Sequence, residues 1–490
     1  MALNIVKYSA EQGSFSATKN NVDLHLPANS GVYDLSKSYI NINVTCNQTA
    51  TGDADAVYTS SLAFTEGGGA ANVHNFVSPP TNAVIVKHCD FISQSKGSIE
   101  RIRHVDALRS NLAIYEKDKS YLKEDKNAFR SAQTEQVFTK GGANEIYNVG
   151  SVASRVRPMD VRVDLKDLFG FGVVEKYDTS KFGNTKIHLQ CNFDKLGNSQ
   201  SISDTHPWNV NVRGAGATYG AFEDTTSVPA GGGDLFTIIS TAVYNNIEEI
   251  PFHTNQLLTV TATESNGGAG SAPYDDKRIS EIVHNVDGKV EITFSTAIKA
   301  VIAGAQMTNI SVVQKAPTSS TVTINKVELV AYRTEDAAGP GDIQFMSYST
   351  ESDSVPAAGS LNKQYYLPPN TLNAIVMTPN NIYSTDTVTK YRFTLNNKAT
   401  TNRDIEVKSG LHYDQLTKSF INMGLKLNNL DESFIRANQL QTADASRIQA
   451  HIFCTPVPVS ANMTQMGLEL TSSGNLSGNI LIFSQRMSKV

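Results

Sequence analysis

The most regular feature of the chain is strict alternation of apolar and polar residues over short runs. From Met159 to Leu165, Met159, Val161, Val163 and Leu165 fall on one face and Asp160, Arg162 and Asp164 on the other. A period of two is the mark of a half-buried strand. Ile187, Leu189, Cys191 and Phe193 repeat the pattern against His188, Gln190 and Asn192. Between the two runs lies an apolar corner, Leu168-Phe169-Gly170-Phe171-Gly172. The stretch from Pro158 to Asp194 therefore predicts strand, aromatic corner, strand, with no catalytic constellation.

The same alternation recurs along the chain. Residues 1–20 lack it and predict an extended N-terminal arm. Val22 to Leu26, Tyr39 to Cys46, a run from Ala83 to Val86 continuing towards Phe91, and Thr321 to Tyr332 read as strands. Gln256 to Ala262, Arg278 to Val283 and Lys289 to Ala297 do too, and Asp287-Gly288 between the last two is a hairpin-turn signal. They predict a β-rich insertion over residues 245–304. Segments 47–80 and 214–234, with their glycine and proline clusters, predict loops that, with residues 245–304, decorate the tops or sides of the folded units. Ile99, Ile102, Val105, Leu108, Leu112 and Tyr115 recur at helical spacing, so one prominent helix is expected from Ser98 to about Arg130, packed on a sheet by its apolar stripe. Glu100, Arg101 and Arg103 fall on its charged face.

Glu335 to Gly341, EDAAGPG, reads as a linker. A second series of strands follows: Ile343 to Tyr348, Lys363 to Leu367, Ala374 to Met377, Lys390 to Leu395, Asp404 to Val407, Ala450 to Phe453, Gln465 to Leu470 and Ile480 to Arg486. A short helix is expected over Tyr413 to Met423. Many short strands in two successive blocks predict an all-β chain of two sandwiches or barrels in series. The expected division is an arm at 1–20, a first unit at 21–335 carrying the insertion, and a second unit at 342–490.

Composition narrows the function. The 490 residues exceed one ordinary core. Only 18% are charged and the net charge is −5, so no global field recruits nucleic acid. No apolar run approaches the ~18 residues of a spanning helix, and the N-terminus does not read as a secretory signal. Cys46, Cys89, Cys191 and Cys454 are scattered and read as reduced, mostly buried thiols. The Asn-x-Ser/Thr matches at Asn43, Asn47, Asn309, Asn462 and Asn475 read as chance in an Asn- and Thr-rich chain. No phosphate loop, nucleophile elbow or zinc-protease motif occurs, and Gly214 to Gly220 misses the dinucleotide spacing. No catalytic, cofactor-binding or metal-ligating residue is nominated, no cofactor is called for, and an enzyme is not expected. A single Trp argues against a sugar-stacking groove.

Four passages carry a family resemblance. Leu26-Pro27 with Gly31 to Tyr39, Leu165 to Phe171 with Lys186 to Leu189, Tyr391 to Asn396 with Asn402 to Ile405 and Leu411 to Asp414, and Pro456 to Pro458 with Leu468 to Leu470 and the terminal strand through Phe483 occur in order over nearly the whole chain. Together they resemble the double jelly-roll major capsid proteins of tailless icosahedral double-stranded DNA viruses, in particular the virophage and polinton-like branch. The residues 245–304 depart from that pattern.

The resemblance implies two tandem eight-stranded jelly rolls in one subunit, trimers of pseudo-hexagonal outline, and a place in the virion shell. Implied partners are two further copies, neighbouring capsomers, and penton and minor or cement proteins. No strong nucleic-acid grip is expected, and contact with an internal membrane is left open. The alternative is a virion or cell-surface adhesin whose sandwich loops bind glycans. A β-sandwich glycosidase needs paired carboxylates in a groove, and a single-roll penton protein fits poorly with the block after Gly341.

Overall fold

A computed structural model describes residues 4–49, 57–66, 75–77, 81–116, 136–139, 154–199, 218–224, 233–235, 237–244, 257–264, 273–296, 299–301, 307–314, 319–335, 338–377, 388–407, 409–427 and 452–490. Its strands are antiparallel and build two sandwiches in series. In the first, a five-stranded sheet orders Asn4–Ser9, Ser319–Thr334 and Val32–Thr49, with Ser154–Asp164 and Tyr177–Asp178 both on the last. A four-stranded sheet orders Asn21–Leu26, Thr185–Cys191, Val86–Ser93 and Gly97–Arg103.

Alternation sets the register. Val327, Ile42 and Val161 lie in one row across the larger sheet, and Leu24, Ile187 and Phe91 in one row across the smaller. All six are buried in the same core. A one-residue slip in any strand would turn its apolar set outward.

The second sandwich is built on two long bent strands, Gln344–Leu367 and Thr464–Lys489. Four sequence segments read as separate strands are the halves of these two. Their pairing breaks register between Val355 and Ser360, where the bend lets one strand serve both sheets. Beyond the bend, Val388–Leu395 pairs with the first half of Thr464–Lys489; before it, Thr371–Met377 joins the second half, with Ile452–Pro456 outside. The sheet formed by this second group is covered on both faces. Ala374, Val376, Phe453, Ile480 and Ile482 face the core of the second sandwich. Ile375, Met377, Ile452, Cys454, Leu481 and Phe483 face the other way and join the core of the first. This explains the unbroken apolar runs Ala374-Ile375-Val376-Met377 and Ile480-Leu481-Ile482-Phe483, which a sheet with one wet face would interrupt.

Several expectations are corrected. Gly97–Arg103 is a strand, and the helix runs only over Val105–Glu116, with residues 117–130 outside the described set. Ser98, expected to open the helix, lies in the strand instead, and its hydroxyl donates to Asp90 across the strand pair. Ile99 and Ile102 imitate helical spacing because the pairing with Val86–Ser93 bulges at that point. The helix is not at the surface: Asp106, Ser110 and Asn111 on its polar side are buried as well.

The N-terminal stretch is laid on its own sandwich. Asn4–Ser9 pairs with Ser319–Thr334, and Gln12 exchanges hydrogen bonds with Asp23. Within 47–80, Val57–Glu66 is a strand whose Leu62 and Phe64 enter the first core, so this segment is more than decoration. Where a strand was expected from Ala83, Asn82–Ile85 is a 3-10 turn running into the Val86–Ser93 strand. Gly410–Asn422 is the second helix, capped by Ser409, close to the expected bounds.

The inserted segment forms a closed barrel of six strands: Thr218–Asp224, Thr237–Val243, Leu257–Glu264, Pro273–His284, Lys289–Phe294 and Met307–Gln314. It is wider than 245–304, and Thr218–Asp224 lies where a loop was expected. Asp287-Gly288 makes the expected hairpin turn, with Gly288 at φ 80°. Gln314 lies just before Ser319, which pairs with Thr49, so the barrel springs from that end of the first sandwich. The opposite end, at the Val32–Thr334 pair, is closed by tight turns.

Because the Ile480–Phe483 run is buried on both faces, Leu481→Ala and Ile482→Ala should each lower unfolding free energy by about 2–5 kcal/mol in urea titrations. A near-neutral result for either residue would mean that one face is open to water.

Candidate functional site

The Val105–Glu116 helix is wedged between the sandwiches, and the aromatic corner beside it joins the chain's two halves. A single turn, Leu165–Leu168, ends the Ser154–Asp164 strand, and the backbone N–H of Phe169 donates to Leu165 O. Phe171 then meets Phe345 of the second sandwich at 4.8 Å between ring centroids, edge to face. It also packs on Phe91 at 5.2 Å and Tyr177 at 5.7 Å. Such pairs add about 0.5–1.5 kcal/mol each beyond the area they bury. Leu168, Phe169 and Phe171 are all fully buried, as their place in an apolar corner requires.

Gly170 is fixed by close approach rather than by a turn conformation. A Cβ at this position would sit 1.7 Å from Met346 O, a backbone atom that cannot move aside. At Gly172 a Cβ would meet Leu165 O at 2.3 Å. The two glycines let one backbone lie directly on another.

A buried carboxylate locks this contact. Glu100 Oε2 accepts the Phe171 N–H at 2.9 Å, and Glu100 Oε1 accepts the Tyr348 N–H at 2.9 Å. One side chain thus ties the first sandwich's edge strand, the aromatic corner and the second sandwich together. Burial pushes its pKa up to about 7, against the pull of the backbone donors and of Arg109 nearby. Arg109 lies over the Tyr348 ring at 5.0 Å. Sequence alone placed Glu100 on a solvated helix face; the only signal against this was its position between Ile99 and Ile102.

A second polar knot lies beyond. Gln485 Oε1 accepts from Asn373 Nδ2 at 2.8 Å, and Asn422 Nδ2 donates to Leu372 O at 2.9 Å. Tyr115 of the wedged helix meets Phe420 of the Gly410–Asn422 helix at 6.0 Å.

The adjacent His88 and Cys89 do not share a site. His88 is half-buried and Cys89 buried, on opposite faces of their strand. Cys89, Cys191 and Cys454 are unpaired and buried, and burial drives each thiol pKa up. The side chain of Cys46 lies outside the described residues. Among the described residues, no group of three or more His, Cys, Asp or Glu stands together as metal ligands would. What the geometry does show is a packed junction between the two sandwiches.

Phe171→Ala should cost about 3–5 kcal/mol in a thermal or urea melt, since it empties a space lined by four rings. Glu100 gives a pH signature. Between the ordinary carboxyl value and about 7, the folded chain holds a proton that the unfolded chain has released. Stability from this group is therefore full below that window and falls by roughly 3 kcal/mol as pH rises through it. Glu100→Gln does not titrate, and its amide turns N–H groups towards one backbone donor, costing about 1–3 kcal/mol. The variant should be less stable at pH ~5, and the gap should close or reverse by pH ~8. A gap independent of pH would show that Glu100 stays in one protonation state.

No family model matches the chain, and no curated protein matches it. Solved structures do. The Faustovirus major capsid protein aligns over 100% of this chain and 90% of its own at 8% identity, with a TM-score of 0.45. VP54 of PBCV-1, in a form fitted into a reconstruction of the virophage Sputnik, aligns over 100% of this chain and 94% of its own at 9% identity, with a TM-score of 0.44. The mavirus major capsid protein aligns over 99% of this chain and 88% of its own at 9% identity, with a TM-score of 0.37.

Proposed function

We propose that the chain is a major capsid protein, the subunit of trimeric capsomers in an icosahedral virion shell. The observation that carries this is the fused pair of sandwiches. Their cores are continuous through the wedged helix and the doubly buried sheet. One chain therefore presents two like units in a fixed relation, and three chains present six. A six-unit disc packs on a hexagonal net with a three-fold axis at its centre, which is the demand a large shell makes on its building block.

In this reading the first unit spans 21–335, the second 342–490, and the barrel projects from the shell. Closed contacts between neighbours would draw on the Asn-, Ser- and Thr-rich surfaces, which pair without net charge. Penton and minor proteins are the expected further partners.

The purified chain should run in multi-angle light scattering at three times its 53.1 kDa mass. A stable monomer over a wide range of concentration would sink the proposal. The adhesin reading draws on the projecting barrel; glycan-array binding by a monomer would favour it.

A further inference from the structure

The Gly97–Arg103 strand passes into the Val105–Glu116 helix through one residue, His104, whose φ of 55° lies in the left-handed region. Outside glycine that conformation is uncommon and needs support from the surroundings. Two hydrogen bonds supply it. The His104 N–H donates to His88 Nδ1 at 3.0 Å, and His104 O accepts the Leu108 N–H at 3.1 Å as the first turn of the helix. The two imidazole rings stand edge to face, 5.1 Å apart. One residue back, Arg103 O accepts from Thr350 Oγ1 of the second sandwich at 2.9 Å. The corner therefore sets where the wedged helix begins and lies against the junction of the two sandwiches.

An imidazole that accepts a backbone N–H at Nδ1 is neutral, because a proton on Nδ1 would set donor against donor. The surroundings keep the pair neutral. Burial disfavours charge on both rings, Lys87 and Arg103 repel a proton on either, and a charged His88 would repel one on His104. The nearby carboxylates are committed to other partners. Asp106, in the first turn of the helix, accepts from Asn192 Nδ2 and the Ala107 N–H, with Lys195 and Lys87 also drawn to it. Asp90 accepts from Arg101 and Ser98. Across the sheet His88 faces Gln190, which carries no charge.

We propose that His88 and His104 form an acid-released latch on the wedged helix. A proton on His88 Nδ1 expels the His104 N–H, the left-handed corner loses its support, and the start of the Val105–Glu116 helix comes free of the junction. A cation at His104 is opposed a second time, because the N-terminus of a helix repels positive charge. The sign follows from which state holds the proton. Burial holds the His104 imidazole down to about 4 from an ordinary 6.5, so between these values the unfolded or opened corner binds a proton that the closed one refuses. The latch is therefore at full strength above the ordinary value and weakens as pH falls through that window. The inference concerns the single chain and stands or falls apart from the shell reading.

The test is hydrogen exchange of the full chain, read by mass spectrometry on peptides covering Val105–Glu116, at pH ~7 and pH ~5. His88→Asn with His104→Asn is the informative variant, because Asn offers an oxygen where Nδ1 stands, accepts a positive φ and does not titrate. It should match the parent chain at pH ~7 and open about tenfold less often at pH ~5. Glu100 acts in the other direction as pH falls through about 7, so each variant is compared with the parent at one pH, where that contribution is common to both. Lys87→Gln with Arg103→Gln leaves the hydrogen bond in place and removes the repulsion, and it decides the matter should the Asn pair fail to fold. It should equal the parent at pH ~7 and open about threefold less often at pH ~5. Exchange in the variants equal to that of the parent at pH ~5 overturns the proposal, as does a difference of the same size at both pH values.

Discussion

The fold depends on one contact in which two backbones lie against each other without an intervening side chain. Gly170 faces Met346 O so closely that no Cβ fits between them. This approach brings the N–H groups of Phe171 and Tyr348 within reach of a single carboxylate, Glu100. A carboxylate is well suited because both oxygens accept and neither donor is left unpaired in the interior. Its cost is desolvation, seen in the raised pKa. The junction therefore exchanges some stability for a fixed geometry between the two sandwiches.

The fixed geometry matters because the second sandwich is not an independent body docked on the first. One of its sheets is a shared wall. Ile480 and Ile482 face inward, Leu481 and Phe483 face the other sandwich, and the wedged helix fills the space between. An ordinary interface between domains is polar enough to slide. A sheet buried on both faces is part of one core and cannot.

The two ends of the molecule differ for a related reason. Strand ends at the Val32–Thr334 side are closed by short turns, which leave little room for insertion. At the other side the strands run on to Thr49 and Ser319, and the barrel grows from there. The barrel therefore leaves the shared wall undisturbed.

Much of this was legible in the residues. Alternation in Val22 to Leu26, Tyr39 to Cys46, Met159 to Leu165 and Ile187 to Phe193 determined which faces turn inward, because a strand's side chains can only alternate. Asp287-Gly288 determined a hairpin, because few residues accept its positive φ. Ile480 to Arg486 was legible as a strand, but not its burial on both faces. Other features were decided only in three dimensions. A bulge opposite Phe91 and Ile92 gave a strand the spacing of a helix, and long strands bent between Val355 and Ser360 looked like two. Glu100 read as a surface charge because its partners are backbone N–H groups 71 and 248 residues away, and backbone groups leave no trace in side-chain identity. The alternation of the chain determines which residues are buried, but only the tertiary structure decides against what.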